Sequence, residues 1–599
     1  MQLRRALAAL AGITMMLGAA TADAAERDWR LRSPDGRLGV DVRLGAGLDA
    51  SYRRDGARVV SAAIGLRAGP RCLPQGFQPV AHRRSTIAEH YTTPAGKRRE
   101  HDHRARQLVL RFRRGRSRLT VAIRAADDGI AHRTTITGPA RRRMTGECSS
   151  FTAPAGARAW LQRYGASYER PYLPTLLRDA PAGAAGFPAL LSSGGAWALL
   201  SEGAIGRGQS AARLAARDGV LRVKGLTPAP GLRRLRTPWR VAVIGSLATV
   251  VESDLIDDLA PPARADAWSW VHPGRVAWSW WSDGASPASL ARQREYVDFA
   301  ARMGWEYVLV DEGWDASWIP ALTAYARQRG IGVLLWSRWD ALATPAQRDA
   351  LLSRWRDWGV AGVKLDFMES DSAQRMRWYR GVASAAAERR LVVNFHGATA
   401  PRGLSRTWPN VLTQEAVMGA ESYKGDVPAT PEHNATLPFT RNAIGPMDYT
   451  PVTFSAVGRR TSLGHELALS VVFASGLQHF ADSPEAYAAQ PLAERWLRDV
   501  PVAWDDTRLL DGHPGRSATI ARRAGDRWYV GAIRAGAGGA VELPLAFLEP
   551  GRAYRAEAIE DAPGGTLAAR TQSVTAADTL RLSAAADGGY VVRLEPAAG

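Results

Sequence analysis

The sequence predicts three structural units: an N-terminal β-sandwich, a central (β/α)8 TIM barrel and a C-terminal antiparallel β-sandwich. The first observation behind this prediction is a change in the rhythm of apolar residues. Alternating runs give way after Pro273 to buried strands separated by helical patterns, and they return past Ala503. The second is length, because 599 residues exceed one compact core and a hydrophobic content of 46% suffices for several.

The two flanking units are predicted by short runs that alternate apolar and polar residues between Gly, Pro and Asp. In the N-terminal unit, 25–270, these runs include LGVDVRLG, QLVLRFRRG, SRLTVAIRAAD and WRVAVIG. In the C-terminal unit, 504–599, they include WYVGAIRA, AVELPLAFL and YVVRLEP. Alternation with period two is typical of strands that bury one face, so both units are expected to be antiparallel sandwiches.

The central unit, 271–503, alternates apolar strands with amphipathic helices. The strand-like segments are VAWSWWS, EYVLVDEGW, GVLLWSRWD, GVKLDFM, LVVNFHG and NVLTQEAV. Helical stretches such as LARQREYVDFAARMG and WIPALTAYARQRG lie between them, with apolar residues at three- and four-residue intervals. Six successive βα units favour a closed parallel barrel over an open sheet.

The first 24 residues have the pattern of a secretory signal peptide. A basic start precedes the apolar segment from Ala6 to Ala20, and small residues lead to an expected cleavage after Ala24. The segment is short for a bilayer span, so we expect export to the periplasm or the cell exterior and no membrane insertion after cleavage. Cys72 and Cys148 are the two cysteines, and their spacing leaves a disulfide and two buried thiols equally open.

The formal net charge of +20 comes almost entirely from arginine, since the chain has four lysines, Lys97, Lys224, Lys364 and Lys424. The arginine runs lie in strand-like sequence with few aromatic residues among them. Solvated strand faces explain this pattern, and we expect no nucleic-acid partner.

Carboxylates lie where the predicted barrel strands end, which is where barrel active sites form. Asp366 ends one strand, Glu415 ends another, and Glu421 follows six residues later. Two carboxylates from different strand ends can supply the nucleophile and the acid of a glycosidase. Lys364 lies on the strand face of Asp366 and would keep it ionised. The polar and aromatic residues expected to contact a sugar at neighbouring strand ends are Asp311, Trp314, Trp336, Arg338, Lys364 and His396.

Three blocks, GVKLDFMES, NFHGATAPRGLSRTWPNVLTQEAVMGAE and TLPFTRNAIGPMDYTP, resemble the signature blocks of glycoside hydrolase family 97. The predicted order of the three units is also the order of that family. The resemblance covers nearly the whole chain after residue 24. It implies a glycosidase that acts on an oligosaccharide or glycoside.

The resemblance also distinguishes two branches of that family. The inverting branch, known for α-glucosidases, lacks a carboxylate at the position of Asp366 and has a glutamate directly after the histidine of the next strand. Here Asp366 is present and Gly397 follows His396. Both positions match the retaining branch, whose characterised members are α-galactosidases. This implies that Asp366 is the nucleophile and Glu421 the acid/base, with carboxyl groups about 5 Å apart.

A bound Ca²⁺ is a further implication of the resemblance. The expected ligands are Glu169 in SYERPY, Glu415 and Glu421, with Glu202 as an alternative donor. Carboxylate oxygens are ligands that Ca²⁺ prefers. Gly397 replaces a calcium-binding glutamate of the inverting branch, so this site is expected to differ from that branch.

Two alternatives stay open in the sequence. One is an α-glucosidase or another α-glycosidase of the same family, and the other is a non-catalytic carbohydrate-binding protein. We expect a monomer, with a dimer as the alternative.

Overall fold

The computed structural model of the chain describes residues 27–225, 234–264 and 268–597. The predicted signal peptide, 1–24, lies outside the described residues. Within these ranges no helix has both the length and the apolar character needed to cross a bilayer.

The N-terminal unit is a β-sandwich of two large antiparallel sheets and one small one. The eight-stranded sheet has the order β1-β2-β3-β4-β12-β19-β18-β15, and the ten-stranded sheet has β14-β13-β16-β17-β21-β10-β9-β8-β7 with β20 on β10. Apolar and polar residues alternate along the strands, so each sheet has one apolar face. Side chains from these two inner faces, such as Val40 and Ile123, share one core. The elements are β1 (Asp28–Arg32), β2 (Leu38–Leu44), β3 (Leu48–Arg54), β4 (Ala57–Ile64), β5 (Leu66–Ala68), β6 (Arg71–Leu73), β7 (Gln78–Thr92), β8 (Glu100–Arg114), β9 (Ser117–Ala126), β10 (Gly129–Thr137), β11 (Gly146–Glu147), β12 (Ser150–Thr152), β13 (Arg158–Gln162), β14 (Tyr172–Leu176), β15 (Gly183–Ala185), β16 (Ala189–Ser193), β17 (Ala196–Gly203), β18 (Arg213–Arg217), β19 (Val220–Lys224), β20 (Arg234–Arg236), β21 (Trp239–Gly245), α1 (Leu247–Glu252) and α2 (Leu255–Asp258).

Cys72 and Cys148 form a disulfide, with their Cα atoms 6.1 Å apart. The bond joins β6 to the residue that follows β11, across a sequence separation of 76 residues. Of the two alternatives left by the sequence, the disulfide is the one found.

The central unit is a parallel sheet that curls into a nearly closed barrel. Its seven strands have the order β27-β26-β25-β24-β23-β22-β28, and every neighbouring pair is parallel. The elements are β22 (Gly274–Trp278), α3 (Leu290–Met303), β23 (Tyr307–Val310), α4 (Ile319–Arg327), β24 (Gly332–Arg338), α5 (Pro345–Asp357), β25 (Gly362–Asp366), α6 (Ala373–Glu388), β26 (Val392–Phe395), α7 (Leu404–Thr407), β27 (Val411–Gln414), α8 (Pro431–Asn434), α9 (Leu463–Val472), β28 (Leu477–Phe480), α10 (Pro484–Ala488) and α11 (Pro491–Asp499).

The sequence predicts eight strands, and the described residues contain seven in this sheet. An irregular segment bridges β27 and β28 instead. The N–H of Asp448 donates to Gln414 O at 3.0 Å, and the N–H of Met447 donates to Ala474 O at 2.9 Å. The barrel closes through these bonds because the chain after β27 forms loops and short helical turns rather than a regular strand.

Local sequence explains where the barrel helices begin. The hydroxyls of Ser289, Thr344 and Ser372 accept hydrogen bonds from backbone N–H groups in the first turns of α3, α5 and α6. Such caps satisfy donors that have no partner inside the helix. Helix α3 stops at Gly304, whose φ of 64° suits glycine.

The C-terminal unit is a second antiparallel β-sandwich. A six-stranded sheet, β29-β30-β31-β36-β33-β34, packs on a two-stranded sheet, β32-β35, with Val530, Val592 and Leu582 in the shared core. Arg522 joins this unit to the barrel, since its guanidinium donates to the carbonyls of Val471 and Val472 in α9. The strands are β29 (Asp506–His513), β30 (Ser517–Ala524), β31 (Arg527–Arg534), β32 (Gly539–Pro544), β33 (Tyr554–Ala562), β34 (Thr566–Val574), β35 (Thr579–Ala584) and β36 (Gly589–Pro596).

Candidate active site

Asp366 is the last residue of β25 and is 7% exposed. The indole Nε1 of Trp336 donates to its Oδ2 at 3.1 Å, and the N–H of Phe367 donates to its Oδ1 at 2.6 Å. Burial raises the pKa of Asp366, while the positive charge of Lys364 and these hydrogen bonds oppose the rise. Each carboxylate oxygen is therefore held by one donor in a buried position.

Lys364 forms an ion pair with Asp311 rather than with Asp366. Its Nζ donates to Asp311 Oδ2 at 2.9 Å, and Trp278 Nε1 donates to the same oxygen at 2.7 Å. Burial opposes the charge on Lys364, but the carboxylates of Asp311, Glu421 and Asp366 outweigh it and raise the lysine pKa. Lys364 thus acts on Asp366 through its electric field, as the sequence predicts, while its direct contact is Asp311.

His396 lies between the carboxylates at the end of β26. Its Nδ1 is 3.2 Å from Glu415 Oε1 and 3.7 Å from Asp366 Oδ2. Its Nε2 is 3.6 Å from Glu421 Oε1 and 3.6 Å from Asp448 Oδ2. Burial, reinforced by the charge of Lys364, holds the pKa of His396 well below its usual range. The imidazole is therefore neutral at neutral pH and contacts acids on both edges.

Glu421 lies in a 3-10 helix, Ala420–Lys424, that follows β27. Lys424 anchors this helix to the segment that follows β22 by donating to the carbonyl of Trp281. The Glu421 side chain is 33% exposed, yet its Oε1 is buried and has no hydrogen-bond partner among the described residues. Burial, together with the negative charges of Asp366, Asp311 and Asp448, raises the pKa of Glu421 to about 8. One oxygen faces inward while the side chain remains accessible to a ligand.

Glu415 is buried, and the N–H of Gly397 donates to its Oε2 at 2.6 Å. Burial and the charges of Glu169, Glu421 and Asp366 raise the pKa of Glu415 well above its usual range. Ligand atoms of His396, Glu415 and Glu421 all lie within 4.8 Å of one another. Two of the predicted metal ligands, Glu415 and Glu421, are therefore adjacent, and His396 joins them although the sequence assigns it to substrate.

Glu169, the third predicted ligand, comes from the loop between β13 and β14 of the N-terminal sandwich. Its side chain is exposed, but desolvation by the surrounding protein and the charges of Asp366 and Glu369 raise its pKa to about 7. The loop is held in place by Gln162, whose Nε2 donates to the carbonyls of Tyr168 and Arg170 at 2.7 Å each. The sandwich thus brings one carboxylate to the mouth of the barrel.

Glu202, the alternative donor, is engaged elsewhere and is not a ligand in this arrangement. Its Oε1 accepts from Arg402 Nε at 2.5 Å, and its Oε2 accepts from Arg240. Arg402 also donates to the hydroxyl of Tyr168 at 3.1 Å. These buried charges satisfy one another, so Glu202 joins the sandwich to the barrel.

The backbone conformation and the close neighbours at position 397 favour glycine over any residue with a side chain. Its φ is 52°, a conformation that favours glycine, and a Cβ there would lie 2.8 Å from Asp366 Oδ1 and 2.7 Å from the N of Phe367. A larger residue at 397 and the observed position of Asp366 therefore exclude each other.

Trp336, Arg338 and Trp314 occupy different surroundings. The indole N–H of Trp336 donates to Asp366 Oδ2. Arg338 pairs with Asp366 in the strand register, and its half-exposed guanidinium lies 3.6 Å from Asp340. Trp314 donates its indole N–H to Trp336 O at 2.9 Å and packs edge-on against Trp355 and Trp358. Among these three, Trp314 is the one that mainly fills space between the barrel and α5.

Two residues outside the predicted set belong to the site. Phe367 is 40% exposed with a φ of 62°, and the Arg338 guanidinium lies 5.0 Å from its ring. Such a conformation in a bulky residue is costly and marks functional sites. Asp448 accepts from Asn394 at 2.6 Å and contacts His479 Nδ1 at 3.1 Å. In the sequence, Phe367 resembles a buried strand residue. The one sequence feature that could have indicated a role in the site is its position directly after Asp366.

Comparisons with known proteins give matches along all three units. Three family models match: "Glycosyl-hydrolase 97 N-terminal" at residues 31–262, "Glycoside hydrolase 97" at 270–417, and "Glycosyl-hydrolase 97 C-terminal, oligomerisation" at 503–595. A "Probable retaining alpha-galactosidase" of Streptomyces bingchenggensis is 39% identical, over 98% of this chain and 95% of its own length. A "Retaining alpha-galactosidase" of Bacteroides thetaiotaomicron is 26% identical, over 95% and 97%.

A solved structure shows the same architecture. It is a glycoside hydrolase family 97 enzyme from Pseudoalteromonas sp. strain K8 in complex with acarbose. It superposes with a TM-score of 0.88 at 25% identity, covering 95% of this chain and 100% of that one.

Proposed function

Because this chain belongs to glycoside hydrolase family 97, we propose that it is a retaining α-galactosidase with Asp366 as nucleophile and Glu421 as acid/base. The observation that carries the proposal is the buried Asp366 carboxylate next to Gly397, with Glu421 reached through His396. The two relatives named as retaining α-galactosidases support the choice of sugar and stereochemistry. The chain is a glycoside hydrolase, so its substrates are saccharides.

In the first step, an oxygen of Asp366 attacks the anomeric carbon as the bond to the leaving oxygen breaks, and Glu421 gives its proton to that oxygen. The glycosyl ester on Asp366 no longer carries a negative charge. One cause of the high pKa of Glu421 is thereby removed, so Glu421 can act as a base. It then takes a proton from water, whose oxygen attacks the anomeric carbon and releases Asp366, with net retention.

The surroundings of Asp366 suit a nucleophile. The N–H groups of Trp336 and Phe367 fix both oxygens, and the field of Lys364 favours the ionised form. The exposed ring of Phe367 offers a flat face to the sugar. Asp311, Arg338 and Trp336 are the residues we propose for reading the sugar hydroxyls, while Trp314 supports Trp336 from behind.

Calcium fits the residues present. Burial raises the pKa values of Glu169, Glu415 and Glu421, and the negative charges of Glu169 and Glu421 add to the rise for Glu415. Glu421 also has a buried oxygen without a partner among the described residues. Hard carboxylate oxygens from two units are donors that Ca²⁺ accepts. We propose that these three glutamates hold Ca²⁺, which when bound supplies positive charge beside the sugar. The neutral His396 orients Glu415 through Nδ1.

Export belongs to the same proposal. The disulfide between Cys72 and Cys148 supports an oxidising compartment, periplasmic or extracellular. We propose a monomer. A dimer is the alternative, and the description of the matching C-terminal family model, which includes the word oligomerisation, favours that alternative.

The proposal is tested by azide rescue of Asp366→Gly. We expect loss of hydrolysis. With azide, an activated α-galactoside should give a β-galactosyl azide, because azide attacks the anomeric carbon from the side that the Asp366 carboxylate occupies in the wild-type enzyme. Asp526→Gly, which removes a 65% exposed carboxylate from a turn of the C-terminal unit, is the matched control and should retain activity. A fully active Asp366→Gly variant would show that the nucleophile is another residue.

The α-glucosidase alternative is tested by substrate preference. The wild-type enzyme should hydrolyse nitrophenyl α-galactoside faster than the α-glucoside, and proton NMR should detect the α-anomer of galactose first. A preference for glucoside, or first appearance of the β-anomer, would contradict the proposal.

A further inference from the structure

Two adjoining cavities have linings that include neither Asp366 nor Glu421. One, of about 670 Å³, lies between α6, the segment 399–408 and residues 204–207 of the sandwich. The other, of about 720 Å³, extends along Trp268 and Trp270. They share Arg264, Ser384 and Trp408, so they form one continuous depression, which we name the arginine groove.

The groove exists because one barrel helix is nearly missing. The helix after β26 is reduced to α7, which has four residues, whereas α6 has sixteen. The flank of α6 that a full helix would cover is therefore open. Arg377, Arg380 and Ser384 lie along this flank at intervals of three and four residues, which places them on one helix face.

Most of the arginines in the groove have no carboxylate partner in the described parts of the chain, and the exception is Arg402, which pairs with Glu202. Arg207, Arg236, Arg264, Arg377, Arg380 and Arg390 line it, and none of them has an ion pair among the described residues. The one acidic residue on the described lining is Glu388, which lies 3.8 Å from Arg389. Guanidinium groups that converge without carboxylates repel one another, and an anion would relieve that repulsion.

Arg380 is the most constrained of these residues. Its Nη1 donates to Ile205 O at 2.9 Å, whereas its Nη2 is buried without a hydrogen-bond partner in the described parts of the chain. Burial and the charges of Arg207 and Arg377 lower its pKa to about 10. A buried guanidinium nitrogen without an acceptor is unfavourable, so a hydrogen bond from this nitrogen to an oxygen of a ligand would be stabilising.

The aromatic residues indicate what kind of anion fits. The rings of Trp268 and Trp270 lie 6.0 Å apart, and the Arg264 guanidinium is 5.7 Å from the ring of Trp408. Flat rings beside arginines suit sugar rings that carry acidic groups. The combined volume is also far larger than a single inorganic anion needs.

We propose that the arginine groove is a non-catalytic binding site for acidic saccharides. Carboxylate or sulfate groups pair with the arginines, and a pyranose face packs on the partly exposed ring of Trp270. The groove would hold an acidic polysaccharide on the enzyme while the barrel acts on glycosides at its strand ends.

The test is affinity electrophoresis of the full chain in gels containing polygalacturonate, dextran sulfate or neutral dextran. The groove variant is Arg264→Ser with Arg377→Ser, both exposed, and the matched control is Arg327→Ser with Arg354→Ser, which removes equal charge from α4 and α5. We expect retardation by one or both acidic polymers and none by dextran. The groove variant should bind at least tenfold more weakly, and the control within twofold of wild type.

A second variant, Trp270→Ala, tests whether the ligand is a saccharide, and it should weaken binding to the same polymer at least threefold. The barrel site serves as a folding control, so all variants should hydrolyse nitrophenyl glycoside at the wild-type rate. Equal loss in groove and control variants would show attraction to the overall charge and overturn the proposal. Tighter binding of a single-stranded DNA oligonucleotide, or full displacement by millimolar inorganic phosphate, would overturn it as well.

Discussion

The residue at position 397 and the position of the Asp366 side chain are linked by a steric constraint. The glycine N–H holds Glu415, while its missing side chain leaves room for the Oδ1 of Asp366. The resemblance pairs these two positions as branch markers, and the structure supplies a steric reason, because a Cβ at 397 would lie 2.8 Å from the Oδ1 of Asp366. The observed position of the Asp366 carboxylate therefore requires glycine at 397.

We predict that Gly397→Ala lowers kcat/KM by about 100-fold or more, because displacing the proposed nucleophile, Asp366, by about 1 Å has that effect. Steady-state kinetics on the wild-type substrate measures it. Gly304→Ala is the control, since its φ is 64° but a Cβ there meets nothing within 4 Å. Both variants carry backbone strain, and only Gly397→Ala carries the clash. Equal losses of activity would refute the steric explanation.

Strands β17 and β21 position the sandwich on the barrel through buried charges. Arg240 of β21 donates to Glu147 Oε2 at 2.6 Å and to Glu202 of β17, and Glu202 in turn accepts from Arg402. Arg402 follows β26, so the network joins two sheets of different units. Its bond to Tyr168 also fixes the residue before Glu169. Removing one member leaves the others charged and buried.

We expect Glu202→Gln to lower the free energy of unfolding by about 3 kcal/mol, because breaking a buried ion pair leaves an uncompensated charge. Thermal and urea unfolding, followed by circular dichroism, measure the change. Glu295→Gln, which removes a 59% exposed partner of Arg292, should cost about 0.5 kcal/mol or less. A comparable effect of the two substitutions would mean that the network does not stabilise the interface.

For the molecule as a whole, the candidate calcium site is shared between units. Glu169 belongs to the N-terminal sandwich, whereas Glu415 and Glu421 belong to the barrel. A cation held by all three would stabilise the docked arrangement, because it binds the folded chain and not the separated units. The sandwich then has a direct role at the catalytic centre.

Removal of calcium by EDTA should therefore lower both Tm and activity, and added Ca²⁺ should restore both. At a free concentration about 100 times the Kd, linkage predicts about 2.7 kcal/mol of stabilisation. The shift of Tm with Ca²⁺ should disappear in Glu415→Gln and persist in Glu432→Gln, an exposed glutamate of α8. A Ca²⁺-dependent Tm in Glu415→Gln would place the ion elsewhere.

The three-unit architecture and the candidate residues at the barrel strand ends follow from patterns that are local in the chain. Asp366, Lys364 and Trp336 could be placed because each strand carries its own period and ends where polar residues begin. The absence of an eighth strand from the described part of the barrel could not be predicted, since the segment around Asp448 bonds to Gln414 without a periodic pattern of its own.

Contacts between residues far apart in sequence needed the folded chain. The ion pair of Glu202 with Arg402 spans 200 positions, and the disulfide spans 76. Their formation depends on how whole sheets dock, which no local period encodes. The same holds for His396 between four acids and for the arginine groove beside a shortened helix. Short-range periodicity selects strands and helices, whereas packing of distant faces selects the partners of each buried charge.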